Sequence, residues 1–173
     1  MQRFVLFVAS AGLCILSIPC HAQSASVRLC VAGMQVNTGS SSSPAGRDLL
    51  IKFLAKEKPK GVLVENTPIP PSVPEDALAA ARQQGCDYVV TTNQTESTSE
   101  SQWWAGPTSG VNMPTFFVTT AYKLTKVSDG SEMASGSFKA SDKGSEQNAL
   151  ALTMKKIADK VTETIRKAGP VGK

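Results

Sequence analysis

Histidine is nearly absent from this chain: its 173 residues contain one, His21. It sits in "MQRFVLFVASAGLCILSIPCHAQ", where Arg3 precedes an apolar run from Phe4 to Ile18, followed by helix-breaking Pro19 and the small residues Cys20 and Ala22. That order predicts a secretory signal peptide over residues 1–22, cleaved near Ala22. An apolar run of about 15 residues falls short of the ~20 a comfortable membrane span needs. No later segment is apolar for long enough, so no transmembrane segment is expected in the mature chain. A second reading, lipid attachment at Cys20, puts Pro19 where such a signal wants Gly, Ala or Ser. Cleavage removes His21, which excludes Ser-His-Asp and Cys-His catalysis, histidine metal sites and imidazole acid–base chemistry from residues 23–173.

Cysteine is scarce too. Of four, Cys14 and Cys20 leave with the signal, and Cys30 and Cys86 remain. Two readings are open: one disulfide, as an exported protein favours, or two separate buried thiols acting as small hydrophobes. A disulfide would need a Cα separation of roughly 4.4–6.8 Å. A zinc or thioredoxin-like site needs CxxC or further ligands, so no metal or cofactor is expected. Charge of one sign is also lacking. The formal net charge is +4, loss of Arg3 lowers it by one, and the lysine groups at 52–60 and 155–160 fall in helical patterns as solvated faces. Nucleic acid is therefore not an expected partner. The glycines of "NTGSSSSPAG" are not followed by Gly-Lys-Ser/Thr but by Gly46-Arg47-Asp48, so the stretch reads as a loop and not a phosphate cradle.

What is present has a clear order. "VRLCVAGMQV", Val27 to Val36, is apolar at nearly every position, as in a central strand covered on both faces. Pro44 opens a helix through Lys58, a short strand covers Gly61 to Glu65, and Pro74 opens a second helix that Gly85 closes. Cys86 to Gln94 and Thr115 to Val127 read as strands, the latter with Phe116, Val118, Tyr122 and Leu124 inward. Asp129-Gly130 predicts a two-residue type I′ turn into a return strand from Glu132 to Ala140. Leu150, Met154, Ile157, Val161 and Ile165 then mark one face of a helix from about Ser145 to Ala168. The expectation is a single exported α/β domain over 23–173, with one mixed five-stranded sheet and three helices in the order β-α-β-α-β-β-β-α.

Two passages carry a family likeness. "ARQQGCDYVVTTNQ" resembles the helix-Gly-Ala-Asp-Tyr-Val-Leu-strand passage of the TolB amino-terminal domain and of the curli-export lipoprotein CsgG. "AYKLTKVSDGSEMASGSF" is similar to the strand, Asp-Thr-Gly turn and strand that follow it there. By order of elements the likeness covers most of residues 27–167. It implies a periplasmic cell-envelope domain used for protein contacts, without catalysis, whose partner is another envelope protein or itself. No propeller repeats follow and no long amphipathic pore-forming hairpins are visible, so the resemblance concerns the fold and not a pore.

One stretch stands apart: "ESQWWAGPTSG" holds both tryptophans in a run of serine, threonine, glycine and proline. Residues 95–114 read as a long β-β loop, well beyond the 2–5 residues usual for a hairpin. Trp103 and Trp104, with Phe116 and Phe117 close by, are candidates for a partner-binding surface; equally, the indoles could cover an open part of the domain's own sheet. Membrane-surface contact is disfavoured because no Lys or Arg stands between Gln94 and Ala121. An alternative is a carbohydrate-binding or carboxylate-dependent hydrolase site using this loop with Glu96 and Glu100. Such a mechanism needs the two carboxyls held ~5–10 Å apart, and a flexible run does not fix that distance.

Overall fold

The structure is a computed structural model and describes residues 26–37, 42–57, 63–69, 74–105 and 110–169. The expected signal peptide, its cleavage near Ala22 and the lipidation site at Cys20 lie outside the described residues. Strand β1 (Ser26–Val31) runs between β4 (Leu63–Pro68) and β5 (Tyr88–Ala105), parallel to both. Its Leu29, Cys30 and Val31 are fully buried, the environment that an unbroken apolar run anticipates. At Ala32 and Gly33 the strand is interrupted. It resumes as β2 (Met34–Val36), still beside β5, with Gln35 opposite Asn93. A two-residue β3 (Ser42–Ser43) pairs antiparallel with β2.

The expected single strand from Val27 to Val36 is therefore two, and the sheet has seven strands rather than five. The principal order is β4, then β1 with β2, then β5, then β6 (Gly110–Lys126) and β7 (Glu132–Asp142), the last two added antiparallel. Three helices accompany it: α1 (Pro44–Leu54), α2 (Pro74–Gln83) and α3 (Glu146–Ala168). Helix α1 ends four residues before the expected Lys58. Strand β4 lies two to three residues later than expected, since its outer edge tolerates Pro68 at the end.

Helices cover the two sheet faces unequally. On one, Leu50 and Leu54 of α1 and the stripe Leu150, Met154, Ile157, Val161 and Ile165 of α3 pack on Leu29, Val31, Tyr88, Val90, Val118, Tyr122 and Leu124. Gly46 lets α1 come close to β2, because a Cβ there would lie 2.5 Å from the Met34 Sδ. On the other face, α2 lays Ala77 and Ala81 over Cys30, Ala32, Ile69, Cys86, Val89 and Val127. Small side chains let this short helix sit near the sheet, where Cys30 and Cys86 are joined as a disulfide with a Cα separation of 5.9 Å.

The ends of the helices follow their sequences. Gly85 takes φ 65° and Cys86 donates to the Ala81 carbonyl at 3.0 Å, the glycine-capped ending that "QQGC" predicts. The Ser145 hydroxyl accepts from the Asn148 N–H at 3.1 Å and starts α3. The β6–β7 turn departs from type I′, which requires positive φ at both central residues. Only Gly130 is left-handed, at φ 73°, and its N–H reaches the Lys126 carbonyl at 2.9 Å in a longer turn.

Candidate functional site

The segment expected to be a loop is β-structure. Residues 95–105 continue β5, residues 110–114 begin β6, and the two pair in register from Tyr88 opposite Lys126 out to Ala105 opposite Gly110. The physical reason is that Thr95-Glu-Ser-Thr-Ser-Glu-Ser sets hydroxyl and acidic side chains on a backbone with no Gly or Pro. The facing strand meanwhile supplies the β-branched and aromatic residues Thr115, Phe116, Phe117, Val118 and Thr119.

Neighbouring strands stop before the ribbon does. β2 accompanies β5 only to Gln94, and β7 accompanies β6 only to Phe116, which lies opposite Asp142. From the Glu100–Thr115 pair outward the ribbon is two strands wide among the described residues, and the five further pairs at ~3.3 Å each carry it about 17 Å farther. A register shift between Gln94 and Glu96 leaves Thr95 as an extra residue at the root of the ribbon. There, the Asn37 N–H donates to the Gln94 carbonyl at 3.1 Å and the Asn37 side-chain amide to the Thr95 carbonyl at 3.0 Å.

The root is fastened on both faces. On the α3 side, Glu146 accepts from the Gln94 amide at 3.1 Å and from the Ser97 hydroxyl, and the Thr120 and Thr153 hydroxyls meet at 3.1 Å in the core. On the opposite side, the Thr119 hydroxyl donates to Glu96 at 3.0 Å, and Lys139 lies 3.8 Å from the same carboxylate and 5.4 Å from the centre of the Phe117 ring. The Glu96–Lys139 pair is about half exposed and so contributes little to stability.

Above this root, Thr95 through Ser101 are exposed without interruption, whereas Phe116 and Phe117 opposite them are half-buried. Phe116 and Phe117 are consecutive in β6, so their positions fall on opposite faces, and Trp103 and Trp104 in β5 are paired with Asn112 and Val111. Glu96 and Glu100 share a face. Four residues of extended strand separate their Cα atoms by about 13 Å. Among the described residues no group of three or more His, Cys, Asp or Glu is placed to hold a metal. No described helix is long and apolar enough to cross a membrane.

No protein-family model matches the chain, and no curated protein matches it. Among solved structures it is similar to the PelC dodecamer from Paraburkholderia phytofirmans, with 17% identity over 76% of this chain and 84% of that one, and a TM-score of 0.49. It is also similar to TolB from Acinetobacter baumannii, with 12% identity over 83% of this chain and 28% of that one, and a TM-score of 0.45. Lipoprotein GNA1162 from Neisseria meningitidis aligns with 15% identity over 79% of this chain and 99% of that one, at a TM-score of 0.41. These three likenesses, all distant, say nothing for CsgG in particular.

Proposed function

We propose that residues 23–173 form an exported cell-envelope domain without catalytic activity, which binds or assembles with another protein through the β5–β6 ribbon. One observation carries this reading: a strand that begins in the core runs on, paired with β6, past the end of β2 at its other edge, and exposes seven consecutive residues, Thr95 to Ser101. A domain gains nothing for its own core from such an extension, since a two-stranded ribbon is marginal in water by itself. The disulfide between Cys30 and Cys86 fits an oxidising compartment, in keeping with the leader-like first 22 residues. The hydrolase alternative loses ground because the Glu96 carboxylate is engaged by the Thr119 hydroxyl and by Lys139.

The test is crosslinking in cells that export the full chain, followed by purification from the envelope fraction, with wild type beside a Trp103→Ser/Trp104→Ser variant. A discrete crosslinked species in wild type, lost in a variant that still folds, is the expected result. No crosslinked species in either, or unfolding of the double variant, overturns the ribbon as the contact.

A further inference from the structure

We infer that the outer edge of β5, from Glu96 to Ser101, accepts an added β-strand from a partner protein, and that this strand carries Lys or Arg at positions four residues apart. The inference rests on the protein-binding reading above and names the chemistry of the partner.

The backbone supplies the first half. The carbonyls of Val90 and Gln94 accept from the Ala32 and Asn37 N–H groups at 3.0 and 3.1 Å, so even-numbered residues of lower β5 direct their polar groups away from β6. The extra residue Thr95 shifts the alternation by one. Beyond it, Ser97, Ser99 and Ser101 direct their N–H and C=O groups outward, while Thr98 and Glu100 bond across to β6. No described strand lies beside that edge.

Proteins blunt sheet edges with Pro, Lys, bulges or short strands. The other two principal edges follow that rule: β4 has six residues and ends in Pro68, and β7 contains Gly136 and Lys139. Past its bulge, β5 from Glu96 to Ser101 has no Pro, Gly or Lys. It is a pairing template left unprotected, the arrangement used when an extended peptide adds to a sheet.

Charge selects the occupant. In a chain of net charge +4, the stretch from Gln94 to Ala121 holds two acids, Glu96 and Glu100, and no Lys or Arg. Both acids lie on one face of the ribbon; Glu96 is half exposed with Lys139 of β7 at 3.8 Å on one side, and Glu100 has no ion-pair partner among the described residues. A second copy pairing along this edge would gather four carboxylates at one seam, whereas a strand with two cations four residues apart would meet both.

The experiment uses the full mature chain and a synthetic ten-residue peptide of alternating Val and Thr with two lysines four positions apart. A matched peptide with glutamates in their place is the comparison. The lysine peptide is expected to slow hydrogen exchange at the Ser97, Ser99 and Ser101 amides while leaving Thr98 and Glu100 unchanged. Ser99→Pro and Ser99→Lys should each weaken it by ~10-fold or more, the lysine variant keeping the fold because edge strands tolerate Lys. Glu96→Gln with Glu100→Gln should weaken it several-fold and flatten its salt dependence. Equal binding of the glutamate peptide, or unchanged binding to Ser99→Lys, overturns the inference. So does a dimer of the chain alone in sedimentation that Ser99→Lys abolishes, because a second copy then fills the edge. If the crosslinked species of the preceding section survives Ser99→Lys but not the tryptophan changes, protein binding stands and edge addition falls; if it survives both sets, both readings fall.

Discussion

Strand β5 passes through two environments in its 18 residues. Over Tyr88 to Gln94 it lies between β1 or β2 and β6, with α1 and α3 packed on one face, α2 reaching the other at Val89, and Tyr88, Val89, Val90, Thr92 and Gln94 buried. Over Thr95 to Ser101 every residue is exposed. The backbone is the same extended chain in both halves, so the difference lies in the side chains and in what flanks them. The lower half places valine and tyrosine where two layers of helix can use them. The upper half offers hydroxyls and carboxylates, and its only strand partner among the described residues is β6. Regular secondary structure thus extends well past the hydrophobic core, on cross-strand pairing and on the fastening at Gln94, Ser97 and Glu146.

That contrast can be broken from the lower side first. Replacing Cys30 and Cys86 with serine opens a 56-residue separation and is expected to cost about 4 kcal/mol, measured as loss of free energy in urea unfolding under oxidising conditions. The ribbon's exchange behaviour should change only with global unfolding. Gly46→Ala comes next. The new Cβ meets Met34 at 2.5 Å from Sδ and 2.9 Å from its Cβ, so the α1–β2 approach must widen, at a cost of ~1–3 kcal/mol by the same measurement.

A smaller effect is expected at the joint between the regions. Asp142 ends β7 opposite Phe116, and the N–H groups of Ser145 and Gly144, with the Asn148 amide, hold its carboxyl below the ordinary 3.8. A lowered carboxylate stabilises the fold above its unfolded value and loses that contribution as the pH falls through its folded value. Urea midpoints compared at pH 7 and at pH 2.5 should therefore fall less for Asp142→Asn than for wild type. The smallest effect is expected at the far end. Trp103→Ser with Trp104→Ser should leave the unfolding free energy of the body within ~0.5 kcal/mol, and a larger loss would place the tryptophans in the core and erase the contrast.

How far the sequence foretold this depends on where hydrophobic periodicity was available. Leu150, Met154, Ile157, Val161 and Ile165 marked α3 because their spacing is unambiguous, and Pro44, Pro74 and Gly85 marked helix ends because few other conformations suit them. The break at Ala32-Gly33 was not legible, since both residues are apolar and the run looks continuous. The ribbon was missed for the opposite reason. Thr95 to Ser101 has no apolar residue to show a period of two, and its strand identity comes from long-range pairing with Thr115 to Thr119. A propensity for loops lost to a partner 15 to 23 residues away in sequence.

The direction of α3 gives the molecule two ends. It starts at Glu146 beside Gln94 and Ser97, passes Thr120 at Thr153, and so runs back antiparallel to β5 toward the end of the sheet where Ser26 opens β1. The ribbon leaves from the opposite end, and 18 residues of β5 measure about 60 Å along the strand. A chain held by its amino-terminal side would thus present the ribbon as an outrigger, aimed away from the point of attachment and able to meet a partner well clear of it.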